Sequence, residues 1–247
     1  MLSNNPFKTH GIHWLSPSSI NTYISDQPLW VMRYLFKVRS PSGAAAVRGN
    51  ALEFALEKKY CDGKFDYNAL EAKFMTMCAE STIRLDSKAA QKEMKLLKDF
   101  GKVIDDDFKY DELESYQEKV EVNLEDLPVP ILGYIDFRFK DKIVDLKTTT
   151  RMPSSPTEAQ NRQMALYSMA YPDSGMELFF ATPKGHKKFT LENLTEYKKQ
   201  LEKAAYTIQR FLALSDDKHE LASFVYPNFD SWMWGNQMKE EAKKIWT

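Results

Sequence analysis

The chain has 247 residues, 43% of them apolar, and a formal net charge of −1. That length is long for one domain but permits one with a real core, and the near-zero charge argues against a generic polyanion binder. No apolar run approaches the ~20 residues of a membrane span. Two cysteines, Cys61 and Cys78, support no disulfide framework and suggest a reducing compartment. Met1-Leu2-Ser3-Asn4-Asn5-Pro6 lacks the cationic-then-apolar pattern of a signal peptide, so a cytoplasmic chain is expected.

In chain order, residues 16–36 read as a helix opening at Ser16-Pro17, with serine as N-cap and proline in the first turn. Residues 42–60 read as a second helix, with Gly49 and Glu53 four apart on one face. A glycine there lets the helix approach strands or a ligand closely. Residues 67–115 read as two charged helices, taken as an insertion (61–115) packed on the core, and Asp105-Asp106-Asp107 as a solvated run. A strand follows at 117–125. Ser155-Pro156-Thr157-Glu158 reads as a capping box opening a helix that carries Gln160, Gln163 and Tyr167 on one face. Another strand is expected at 176–182 and a long amphipathic helix over 191–214. This order predicts an α/β fold, a mixed sheet covered by helices, in a single domain.

Between these elements lie two runs that read as paired strands. Alternation puts Ile135, Phe137 and Phe139 on one face, and Tyr134, Asp136 and Arg138 on the other. In the next run Ile143, Asp145 and Lys147 share a face. With Asp141-Lys142 as a two-residue turn, Asp136 pairs with Lys147. Asp136 and Asp145 are then diagonal neighbours, at about 7–8 Å or a little less. A carboxylate flanked by Val144 and Leu146 in a half-buried strand is rarely tolerated unless paired or metal-bound.

The spacing Asp136-x8-Asp145-x-Lys147 resembles the PD-(D/E)xK nuclease superfamily. Three other stretches match it in order. Ser16-Pro17-Ser18-Ser19-Ile20-Asn21-Thr22-Tyr23 is similar to the N-terminal S-x-S-x-(I/L)-x-x-(F/Y) helix start. Arg48-Gly49-Asn50-Ala51-Leu52-Glu53 is similar to the R-G-x-x-x-H helix. Gln163-Met164-Ala165-Leu166-Tyr167 resembles the Q-x-x-x-Y helix of the RecB-like exonucleases. Glu53 stands where many relatives have histidine, and a carboxylate also ligates a hard divalent cation. Some relatives bind an iron–sulfur cluster through four cysteines. Two cysteines elsewhere in the chain cannot build that site, so no cluster is expected.

The resemblance implies a restriction-endonuclease-like core and Mg²⁺- or Mn²⁺-dependent hydrolysis of DNA. The expected ligands are Glu53, Asp136, Asp145 and the backbone carbonyl of Leu146. Lys147 would orient or deprotonate the attacking water, or stabilise charge on the phosphorane. Gln163 and Tyr167 would contact the scissile-strand phosphates and support the metal shell. Arg48, Arg151, Arg162, Lys184, Lys187 and Lys188 are candidate phosphate contacts. Ser16 and Ser18 are either phosphate contacts or helix caps. Residues 138–188 carry nine Lys/Arg against five Asp/Glu, and residues 61–126 ten against seventeen, so the basic stretch is the one bearing the motif.

The implied function is a DNA exonuclease acting on linear, end-bearing DNA in recombination, repair or viral DNA processing. Its expected place is the cytoplasm of a bacterium or phage-infected host, with a recombinase, single-strand-binding protein or helicase as protein partner. The rivals are an endonuclease of the same superfamily and a nuclease-dead DNA-binding module in a larger complex. The four histidines, His10, His13, His186 and His219, show no ligand spacing. The aromatics Phe224, Tyr226, Phe229, Trp232 and Trp234 are expected to pack where a cluster would sit.

Overall fold

A computed structural model describes residues 5–231 and 233–247. The N-terminal reading at Met1–Asn4 and the aromatic Trp232 lie outside the described residues. In chain order come helices α1 (Pro6–Thr9), α2 (Pro17–Ser25), α3 (Gln27–Tyr34), α4 (Ala44–Asp62), α5 (Tyr67–Glu80) and α6 (Lys88–Asp107). Strands β1 (Leu113–Val122), β2 (Ile131–Phe139) and β3 (Lys142–Thr148) follow. Then come α7 (Glu158–Ala170), β4 (Gly175–Thr182), β5 (Gly185–Leu191), α8 (Thr195–Leu212), α9 (Lys218–Ser223) and α10 (Asn236–Trp246). The sheet runs β1-β2-β3-β4-β5 and is mixed. Among these five strands only β3 and β4 pair in parallel, with α7 in the connection between them. This is the expected α/β architecture with helices on both faces. None of the described helices is long and apolar enough to cross a membrane.

The sheet separates two apolar clusters. On one face Ile131, Ile135, Ile143, Leu178 and Phe180 pack against α2, α7 and α8. On the other, Phe137, Phe139, Val144, Leu146 and Phe179 pack against α4 and α6. The expected insertion therefore shares that face of the sheet with α4, α6 lying on the strands and α5 packing on α4 and α6. Its tie is Arg48, buried in α4, which pairs with Glu93 of α6, lies 4.2 Å from the centre of the Phe100 ring and donates to the Thr148 carbonyl at 3.3 Å. Asp105 and Asp107 are engaged as well, with Lys59 and His186 at 2.9 Å each, so that run is not simply solvated.

Several expected boundaries move for identifiable reasons. The helix expected over 16–36 is two, because Asp26 caps a new start, accepting from the Leu29 amide at 2.9 Å, and Pro28 lacks the amide that continuity needs. The cap of α7 is Thr157 and not Ser155, and Gln160 closes the capping box instead of facing the site. Pro183-Lys184 turns the chain and β5 starts at Gly185, so Lys187 and Lys188 lie on a strand. Lysines on a sheet edge discourage further pairing. Phe229, Trp234 and Met238 pack against Leu29 and Met32, and Trp234 Nε1 donates to Asp26 Oδ2 at 2.8 Å. Phe224 and Tyr226, expected to pack with them, are exposed.

The hairpin register also differs. Phe137 pairs with Val144 and Arg138 with Ile143, so the turn is Lys140-Asp141, and that register continued past Phe137 sets Asp136 against Asp145 and not Lys147. The offset from expectation is two residues, which preserves each residue's face, where a one-residue slip would reverse it. The alternation in β2 also breaks. Ile135 joins the first cluster, but Phe137 and Phe139 join the second. The break falls at Asp136, beside Gln117 of β1, whose φ is +50°.

Gly133 sets how closely α7 lies on β2. A Cβ there would come within 2.9 Å of both Leu166 Cδ2 and Tyr167 Cε1, and 3.2 Å of Val120 Cγ2. Those side chains are buried and cannot swing aside. Gly133→Ala is therefore expected to destabilise the protein by about 1–3 kcal/mol, the scale for overpacking a core. Urea unfolding monitored by circular dichroism will measure it. An unchanged midpoint would show that α7 yields freely.

Candidate active site

Three neighbouring strands and two helices, one from each face, build the site. Asp145 lies on β3 at 0% exposure, and Asp136 on β2 at 8%. Burying such groups is costly unless they are answered. Asp145 Oδ1 accepts from Gln163 Nε2 of α7 at 3.0 Å, and Oδ2 forms an ion pair with Lys147 Nζ at 2.5 Å. Asp136 Oδ2 accepts from the Leu146 amide at 3.2 Å, and Oδ1 from Gln117 Nε2 at 3.1 Å. The same Nε2 lies 3.4 Å from Glu53 Oε2, brought from the other face by α4. A Cβ on Gly49 would touch Thr148 Oγ1 at 3.4 Å, so the helix meets the end of β3 there.

Tyr167 is 1% exposed, accepts from Gln163 at 2.8 Å and donates to the Tyr134 carbonyl at 2.5 Å. Both of its bonds are internal, which corrects the expected phosphate contact. Tyr167 fixes Gln163, and Gln163 fixes Asp145. Arg48 and Arg162 are corrected in the same way. Arg48 is spent on Glu93, and Arg162 is 6% exposed, bonded to Asn21, Glu158 and Gln200. Ser16 caps α2 through the Ser19 amide and meets the Ser18 hydroxyl at 2.9 Å, so its helix-cap reading holds.

Lys188 packs over Tyr110 and Phe179, on the sheet face away from Asp145. Lys187 is on the near face. Lys147 pairs with Phe180, and Phe180 with Lys187, so the three stand in a row across the sheet. Lys187 also donates to Ser154 in the loop that carries the exposed Arg151, and Lys184 is exposed in its turn. Gln117 had no sequence signal: it is a glutamine in a charged edge strand, and its backbone conformation is invisible in the pattern.

The charges are coupled. Burial pushes Glu53 up to about 7; Lys147 opposes the rise and Asp145 adds to it. Burial, then Asp145 and Glu53, hold Asp136 well above the usual carboxylate range. Burial would lower the Lys147 pKa, but Asp145, Asp136 and Glu53 outweigh it, and the ammonium is held above its ordinary range. Burial and the two aspartates likewise keep Tyr167 a neutral phenol.

Crowded carboxylates, with Glu53 and Asp136 held above their ordinary range, are the donors a hard divalent cation takes. Asp145 Oδ2 is buried and accepts no hydrogen bond among the described residues, having only the ion pair with Lys147. In an extended residue N–H and C=O point to the same side, so the Leu146 carbonyl faces β2 as its amide does. Among the described residues no three His, Cys, Asp or Glu side chains already converge on one point. Gln117 and Lys147 link the carboxylates instead, and the all-oxygen set fits Mg²⁺ or Mn²⁺.

These shifts have a signed consequence. With its pKa raised in the fold, Glu53 keeps its proton to about pH 7, whereas the unfolded chain loses it near 4.5. The native state binds more protons in that window, so the metal-free protein loses stability as pH rises through it. Glu53→Gln is expected to flatten that decline, read as Tm against pH in EDTA. Parallel profiles for the two proteins would remove the argument.

The PD-(D/E)XK nuclease superfamily model matches residues 14–231. The fold is similar to a crystal structure from Eubacterium rectale described as a putative exonuclease. The two are 13% identical with a TM-score of 0.60, covering 97% of this chain and 92% of that one. A second structure, SSO0001, is 14% identical with a TM-score of 0.37, covering 83% and 96%, too distant to carry an argument. No curated protein matches the chain. With a family match over most of its length and motif carboxylates buried together on β2 and β3, the chain belongs to the PD-(D/E)XK nuclease superfamily.

Proposed function

We propose that the chain is a divalent-metal-dependent DNA exonuclease of the RecB-like kind. The observation that carries this is the buried Asp145, held between Lys147 and the Gln163–Tyr167 pair, on the strand beside the buried Asp136. Asp136, Asp145, Glu53 and the Leu146 carbonyl would hold the ion. When bound, Mg²⁺ or Mn²⁺ supplies an activated water and neutralises charge at phosphorus.

The protein's own part is positioning and charge. Gln163 and Tyr167 fix the Asp145 carboxylate, and the Leu146 amide fixes Asp136. Lys147, paired with Asp145, stays an ammonium at neutral pH. That favours its acting as a stabiliser of phosphorane charge over its acting as the base. Arg151, Lys184 and Lys187 would take the backbone phosphates of the bound strand. The setting we infer is recombination, repair or viral DNA processing in a bacterial or infected cytoplasm. A recombinase, single-strand-binding protein or helicase would be the partner.

Linear DNA should be degraded from its ends in Mg²⁺ or Mn²⁺, and closed circular DNA spared. EDTA should stop the reaction. Asp145→Asn should lose nearly all activity while keeping its far-ultraviolet circular dichroism. Cleavage of circles at the rate of linear DNA would favour the endonuclease instead. Full activity in Asp145→Asn would remove the basis of the assignment.

Lys147→Ala is expected to cost roughly 10²–10³ in kcat, the scale for one preorganised charge stabiliser. DNA affinity, measured in Ca²⁺ to prevent turnover, should change little. A kcat within about twofold of wild type would leave Lys147 as only the ion-pair partner of Asp145.

A further inference from the structure

Gln117 sits mid-strand in β1 with φ of +50°, a left-handed conformation that non-glycine residues adopt only when the surroundings enforce it. No residue is inserted there. Tyr116 pairs with Phe137 and Glu118 with Ile135, so the register runs through unbroken. What the backbone changes is where one side chain points. The carboxamide reaches the two carboxylates that come from different elements: Nε2 is 3.1 Å from Asp136 Oδ1 on β2 and 3.4 Å from Glu53 Oε2 on α4. An amide nitrogen carries two hydrogens and no charge, so it can bridge two acceptors without competing for a cation. Glu53 accepts no other hydrogen bond among the described residues.

Both neighbours are anchored, which keeps Gln117 from relaxing. Tyr116 stacks at a tilt on Phe137 with ring centroids 5.3 Å apart. Glu118 holds Arg138 at 2.6 Å and accepts from the Tyr171 hydroxyl. The strand is pinned on each side of the strained residue, and the strain aims the amide into the site.

We propose that Gln117 is a positioning residue of the metal site, bracing Glu53 against Asp136 so that the two ligands stand ready for one ion. The proposal rests on the reading of Glu53 and Asp136 as metal ligands. A merely structural glutamine would stabilise β1, whereas a strained one placed for function is replaceable by glycine without loss of stability.

The test is calorimetric titration of Mn²⁺ into metal-free wild type, Gln117→Gly, Gln117→Ala and Asp145→Asn, with the Tm of each in EDTA. Gln117→Gly should match or exceed the wild-type Tm. It should bind Mn²⁺ about 10–100-fold more weakly, the usual effect of losing a residue that orients ligands. Gln117→Ala keeps the strain and should show the same loss of affinity with a lower Tm than the glycine variant. Affinities within about twofold of wild type in both variants would overturn the proposal while Asp145→Asn still fails to bind. A Tm loss in Gln117→Gly with unchanged affinity would overturn it too, marking a structural residue. A folded wild type that binds no Mn²⁺ would fail the metal reading itself and this proposal with it.

Discussion

The burial of Asp145 is the constraint on which the rest of the site depends. A carboxylate at 0% exposure, in a central strand between apolar neighbours, is tolerable only if every nearby element is arranged to answer it. Lys147 answers one oxygen and Gln163 the other. Gln163 can do so because Tyr167 holds it, and Tyr167 can because its hydroxyl reaches the Tyr134 carbonyl. That reach requires α7 to lie almost on the backbone of β2, which Gly133 permits. A chain of single dependencies thus runs from one glycine to one carboxylate.

The opposite face is organised with the same end. Arg48 is a buried cation in a helix whose neighbour supplies Glu93, and its Nη2 reaches the Thr148 carbonyl and hydroxyl just past Lys147. Pairing two buried charges adds little stability over an apolar pair, but loss of either partner strands the other. The arrangement fixes the angle at which α4 meets the end of β3, and so where Glu53 arrives. The helices over 67–107 act here as a buttress.

What the sequence made legible is what two-residue periodicity encodes. The faces of β3, the pairing of β2 with β3 and the convergence of Asp136, Asp145 and Lys147 all follow from alternation, and they survive a turn placed one residue late because the offset preserves parity. The role of α7 was readable from Gln163 and Tyr167 at helical spacing, although not which way their hydrogen bonds run. The fate of a cation was not readable. Arg48 meets a partner 45 residues away and Arg162 one 141 residues away, and no local pattern tells a buried arginine from one facing phosphate. The face change in β2 at Asp136 is equally silent, and so is the left-handed glutamine that lies beside it in the neighbouring strand.

The face change also explains how three carboxylates from both sides of a sheet come to share one site. A regular strand sends alternate side chains to opposite faces, so Asp136 would point either toward α7 or toward α4. Because the alternation breaks at that residue, Asp136 is read by the Leu146 amide in the plane of the sheet. It is read also by Gln117, which belongs equally to Glu53 on the α4 side. Asp145 remains committed to the α7 side. The irregular position is the one place where a ligand from each layer can be brought together without opening the core. The strain therefore falls on β1, at the sheet edge, where no further strand depends on its geometry.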